Sequence, residues 1–79
     1  MRLEVRAFAT LANFLPSPRP DTAAFLNLPE GSTVRDVARS LGIPAEMSIV
    51  VLVNGAHAEA DRVLTLGDVV TLFPPLVGG

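Results

Sequence analysis

The 79-residue chain contains no cysteine and no lysine. Without cysteine there is no thiolate nucleophile, no disulfide framework and no thiolate metal site, so redox work and side-chain thioester chemistry are excluded. Without lysine there is no Schiff-base chemistry and no phosphate-binding P-loop, whose lysine reaches the phosphates. Charge is also sparse, at 18% of residues against 49% hydrophobic ones. The six basic residues, Arg2, Arg6, Arg19, Arg35, Arg39 and Arg62, are scattered over a chain of net charge −2. That pattern argues against a nucleic-acid partner. The N-terminus alternates charged with apolar residues and has no apolar core of a secretory signal. No apolar run approaches the roughly 20 residues of a membrane span. The expectation is a cytoplasmic domain without a membrane partner.

A domain this small buries only about 60 to 65% of the surface its unfolded chain exposes, which leaves little room for an enclosed active site. With so many apolar residues, some apolar surface is expected to stay exposed, and such surface marks a partner site. Residues 1–79 read as a single domain, with a flexible C-terminal tail over 74–79.

Period-2 alternation of Leu3, Val5 and Ala7 with Arg2, Glu4 and Arg6 predicts a first strand with one face in the core. Phe8, Leu11, Ala12 and Leu15 then fall at i, i+3, i+4 and i+7, which predicts a short helix near residues 8–15 with these four on its buried face. The segment Pro16 to Asp21 carries three prolines, so it reads as a loop. Ala24, Leu26 and Leu28 predict a second strand that can form a hairpin with the first. Thr33, followed three residues on by Asp36, is a capping-box arrangement that opens a helix. Val34, Val37, Ala38 and Leu41 form its buried stripe. Gly42 suits its left-handed end, and Pro44 prevents continuation. The uninterrupted run Ile49 to Val53 predicts a central strand covered on both faces. Asn54-Gly55 signals a tight turn into a short strand at Ala56 to Ala58. Val69 to Phe73 closes the series as the last strand.

The order strand, strand, helix, strand, short strand, strand predicts an α+β chain: a mixed four- to five-stranded sheet packed on one main helix, with the first and last strands side by side. This is the β-grasp, or ubiquitin-like, architecture.

After the last strand the sequence reads Pro74-Pro75-Leu76-Val77-Gly78-Gly79. Six extended residues reach at most about 20 Å, enough to thread a cleft in another protein. The prolines keep the segment from folding back as a strand. Glycine lacks a Cβ, so Gly78 and Gly79 pass a narrow tunnel at any backbone angle. The reactive group is therefore expected to be the carboxylate of Gly79, activated by a partner to an acyl-adenylate and then attacked by sulfur or another nucleophile. Ordering the tail costs about 1 to 2 kcal/mol per residue. Burial of Leu76 and Val77 returns about 1.5 to 3 kcal/mol each. The tail roughly breaks even, so net affinity must come from the body of the domain, with an apolar patch near Phe73 as the candidate. Core packing is the alternative role for Phe73.

Other residues carry weaker signals. His57 is the lone histidine and builds no zinc site without cysteine or clustered carboxylates, so no metal is expected. Asp61 and Asp68 read as turn residues. Arg35 and Arg39, four apart on one helix, form a mildly repulsive pair that is either solvated or turned toward an acidic partner.

The run Phe73-Pro74-Pro75-Leu76-Val77-Gly78-Gly79 resembles the tail of the MoaD family, the small subunit of molybdopterin synthase. Val5-Arg6-Ala7-Phe8-Ala9 with Leu11, and Val53-Asn54-Gly55 with Leu64, Gly67, Asp68 and Val69, extend the resemblance over nearly the whole chain. It departs from the family at Leu66, where an acidic residue is usual, and in the proline-rich loop. The resemblance implies a carrier, not an enzyme, whose Gly79 is adenylated by an ATP-using, ubiquitin-activating-type partner and converted to a thiocarboxylate. No cofactor is bound by the carrier itself, and the sulfur passes to a pterin precursor on the large synthase subunit. The sister ThiS family, which supplies sulfur to the thiamine thiazole through thiazole synthase, shares the fold and the diglycine. A protein modifier joined to target lysines and a purely non-covalent interaction module are the remaining readings.

Overall fold

The computed structural model describes residues 1–15 and 23–75. Among these residues there are five strands and one α-helix: β1 (Arg2–Ala7), β2 (Ala23–Asn27), α1 (Val34–Ser40), β3 (Val50–Val53), β4 (Ala56–His57) and β5 (Val69–Phe73), with a 3-10 helix at Ala9–Phe14 after β1. The strands make one sheet in the order β2-β1-β5-β3-β4. β1 pairs antiparallel with β2 and parallel with β5, placing the first and last strands side by side as the element order predicts. The β-grasp expectation is met.

The alternation read in β1 is the physical origin of the core. Leu3 and Val5 are fully buried, and their registered neighbours Leu26, Ala24 and Val70 lie on the same face. Val34 and Val37 of α1 close that face together with Val51, Val53, Leu64 and Leu72. At about 1.5 to 3 kcal/mol for each fully buried aliphatic side chain, this packing holds a seven-residue helix too short to persist alone.

The capping box of α1 forms as read. The Thr33 N–H donates to Asp36 at 2.9 Å, and the Asp36 N–H donates to Thr33 Oγ1 at 3.4 Å. Gly42 takes φ +81°, and the Ile43 N–H returns to the Ala38 carbonyl, the bond that ends a helix through a left-handed residue. Asn54 and Gly55 both have positive φ, the geometry of a two-residue hairpin turn between β3 and β4.

The short helix expected near residues 8–15 is present as the 3-10 helix Ala9–Phe14. Two details are corrected. The first is that Phe8 does not share that helix's face with Leu11 and Leu15. Phe8 remains extended, donates its N–H to the Leu72 carbonyl, and so continues the strand's alternation with its ring outward, 44% exposed. The turn is made at Ala9, whose φ of 54° is left-handed. β3 is also not covered on both faces. Val51 and Val53 are buried, but Val50 and Leu52 stay half-buried on the opposite face, with only two-residue β4 beyond them at the sheet edge. The proline-rich loop reading, Pro16 to Asp21, lies outside the described residues.

Candidate functional site

The alternation that buries one face of the sheet leaves a second face free of the helix. Register places Phe73 opposite Val50, and Thr71 between Leu52 and Arg6. Val69, Val50, Leu52 and Phe73 are half-buried on this outer face. The Phe8 ring lies parallel to that of Phe73, with centroids 4.9 Å apart and planes 6° from parallel. Two aromatic rings in offset contact gain about 0.5 to 1.5 kcal/mol beyond their area. This stack fixes an apolar shelf where β5 ends and Pro74 and Pro75 begin. Phe73 is therefore an outer-face residue and not part of the core.

β1 gives the rest of the face a charged strip. Arg6 pairs with Glu4, and the Arg2 guanidinium sits 4.2 Å over the Phe25 ring, the contact of a cation with an aromatic face. The outer face is thus apolar over β5 and β3 and polar over β1. A partner that covers β5 and β3 desolvates no formal charge on those strands.

Of the predicted site residues, Phe73, Pro74 and Pro75 lie at the rim of this shelf, Pro75 exposed. Leu76, Val77, Gly78 and Gly79 lie outside the described residues. Phe8 belongs to the site and was missed, because the spacing 8, 11, 12, 15 also fits a helix face. The signal that finds it is the strict alternation Leu3, Val5, Ala7, which carried one residue further turns position 8 outward.

His57 is exposed opposite Leu52, and no cluster of three His, Cys, Asp or Glu residues occurs among the described residues. Asp61 is exposed. Asp68 is buried and plays the turn role: it accepts from the Thr65 N–H at 2.8 Å and from Asn54 Nδ2 at 2.9 Å. The Thr65 backbone bond, then the Asn54 side chain, hold its carboxyl below the ordinary carboxylate value. Asn54 in turn accepts the Val69 N–H at 2.9 Å, which locks the β3–β4 turn to the first residue of β5. These groups position the strand that leads to the tail.

Residues 1–76 match the family described as Mut7-C ubiquitin. The chain belongs to that ubiquitin-like family. The matched span stops three residues before the end of the given sequence, so membership rests on the folded domain and not on the diglycine. No curated protein sequence matches the chain. Among solved structures, one of SAMP1 of Haloferax volcanii is 30% identical, with full coverage of both chains and a TM-score of 0.74, and a second, of the same organism's small archaeal modifier protein 1, is 26% identical over 95% of this chain and 98% of that one at the same TM-score. A putative molybdopterin converting factor subunit 1 of Pyrococcus furiosus is 26% identical over 95% of this chain and 98% of that one, also at TM-score 0.74. The Helicobacter pylori molybdopterin-converting factor, solved as a complex of subunits 1 and 2, is 20% identical with full coverage and a TM-score of 0.63. That last likeness is one of fold. The family match and the first of these neighbours place this chain among MoaD-like and small-modifier ubiquitin-like proteins, as the sequence resemblance implies.

Proposed function

We propose that this chain is a sulfur carrier whose Gly79 carboxylate is the working group, serving molybdopterin (molybdenum or tungsten cofactor) synthesis. The observation that carries the reading is the exit of β5: the strand ends at Phe73 on an apolar, helix-free face, and the Pro-Pro-Leu-Val-Gly-Gly segment follows directly. The face supplies the binding surface that the tail's own energetics lack. Kinship of fold with the Pyrococcus furiosus subunit 1 supports the pathway.

In the chemistry proposed, a carboxylate oxygen of Gly79 attacks the α-phosphorus of ATP on a ubiquitin-activating-type enzyme, and pyrophosphate leaves. A hydrosulfide-level nucleophile then attacks the acyl carbon, the C–O bond to phosphate breaks and AMP departs with loss of a proton, leaving a thiocarboxylate; a persulfide donor gives an acyl disulfide instead, whose S–S bond a second thiol reduces to release the same product. The large synthase subunit next accepts the tail and takes the sulfur. The domain itself catalyses neither step. It orients the tail, and the activated carbonyl belongs to its own backbone.

A ThiS-like supply of sulfur to thiazole synthase fits the same chemistry. The 30% identity to SAMP1 favours a second reading, covalent attachment of Gly79 to lysines of other proteins. The chain itself offers no lysine for further conjugation. Immunoblots of cell extract separate the two, because a pure carrier forms no high-mass adducts. Adding one residue after Gly79 tests both against a non-covalent module. Loss of pathway activity with unchanged folding is expected, and retained activity defeats the proposal.

A further inference from the structure

A groove of about 570 Å³ runs along the opposite side of the molecule, between α1 and the β3 edge. Its lining is apolar at Val34, Ile43 and Val51, which lie deep, and at the less buried Ala38, Met47 and Ile49. Arg35 and Arg39 line it from α1, and Glu59 is also among its lining residues. Neither arginine forms an ion pair with a described residue. Among those residues the one ion pair is Arg6 with Glu4, on the other face. Asp36, between the two arginines in sequence, is held by Thr33 in the capping box and lies near enough to both for their charges to lower its carboxyl further. Arg35 and Arg39 outnumber Glu59 on the lining, so the groove carries a local excess of positive charge on a chain of net charge −2.

The backbone in this groove is also incomplete. β4 covers only Leu52 and Val53. Past it, the Ala58 N–H donates to the Val51 carbonyl at 3.0 Å. The Val51 N–H points to the same edge, as both polar groups of one strand residue do, yet finds no acceptor among the described residues. Ile49 likewise makes no backbone bond to a described residue. An edge with unpaired main-chain groups is a template for another strand. Such addition takes affinity from main-chain bonds and specificity from side-chain pockets.

We propose that this groove binds an extended peptide segment of another protein, apolar residues against Val51 and Ile43 and an adjoining Asp or Glu at Arg35 and Arg39. The segment adds as a short strand at the β3 edge and accepts the Val51 N–H. The charge selects the occupant: an acidic residue relieves the repulsion of the arginine pair, which a basic peptide or a neutral one leaves in place. This contact is separate from the outer face, so one carrier domain engages a peptide on its helix side while the tail side stays free.

The test is a random-sequence displayed peptide library panned on the full chain, with selected peptides synthesised and mapped by backbone amide shifts. Selected sequences are expected to join an apolar run to Asp or Glu and to shift the Val51, Ala38 and Met47 amides. Affinity should fall about tenfold in Arg35→Glu/Arg39→Glu, the loss expected for reversing two exposed charges at once. Ala38→Phe, which fills the groove without touching either charge, should show a comparable loss, and Phe73→Ala on the other face should show none. The proposal is overturned if no peptide is selected, if selected peptides map to the outer face, or if they bind the double arginine variant equally well. It is equally overturned if a synthetic peptide of residues 74–79 or a second copy of the chain proves to take the groove.

Discussion

Asp68 shows how much one side chain does in a domain without disulfides. It accepts from Thr65 on one side and from Asn54, fourteen residues away, on the other, and Asn54 passes the restraint to Val69. Hydrogen bonds to a charged group are worth about 1.5 to 3 kcal/mol. Asp68→Asn should therefore cost about 2 kcal/mol at neutral pH, measured by urea unfolding. The pH dependence has a definite sign. The folded carboxyl is lowered, so the unfolded chain binds more protons between the two values, and stability is full above the unfolded one and lost as pH falls through the folded one. Wild-type stability should begin to fall below about pH 4. Asp68→Asn should flatten that fall, leaving the part due to Asp36, which is lowered in the same direction by its bond from the Thr33 backbone. The turn role of Asp68 was legible in sequence, since Asp near Gly67 suits a turn. Its partner Asn54 was not, because nothing local links positions 54 and 68. Phe8 was misread for a related reason: two periodicities overlap at the junction of β1 and the 3-10 helix, and only the left-handed Ala9 decides between them.

Elements defined by local chemistry were legible, and elements defined by their neighbours were not. The α1 boundaries follow from Thr33, Asp36 and Gly42, three residues whose roles are short-range. Thr33→Ala should cost about 1 kcal/mol and lower Tm by roughly 4 to 8 °C in a domain of this size, read by calorimetry. The seven-residue helix also leans on distant backbone, with the Val34 N–H bonded to Arg62 and the Arg35 N–H to Ala60, so its first turn is satisfied by a loop far along the chain. β3 shows the converse. An unbroken apolar strand is the pattern of one buried on both faces, but here the second face is apolar because it is an exposed shelf. Periodicity reports that a side chain is apolar, and topology decides what covers it.

At the scale of the whole molecule, the sheet divides labour between its faces: one builds the core with α1, and the other carries the Phe8–Phe73 stack where the strand runs into Pro74 and Pro75. Phe73→Ala should cost about 1 to 2 kcal/mol in stability, since the ring is half-buried and loses one aromatic contact. It should weaken productive engagement with an activating enzyme at least tenfold, read as a rise in KM for the carrier. Similar losses in Phe8→Ala would tie the effect to the shelf and not to the tail sequence. The order of the elements, the helix and the pairing of the first strand with the last were legible from the chain, whereas what covers the outer face depends on contacts that another molecule makes. The measurement that bears most directly on the carrier reading is an intact mass of the chain ending at Gly79, taken after incubation with the activating enzyme, ATP and a sulfur donor. The account predicts an ATP-dependent exchange of one oxygen for sulfur, confined to the C-terminal fragment. An unchanged mass, with an enzyme shown to adenylate the chain's terminus, would contradict it.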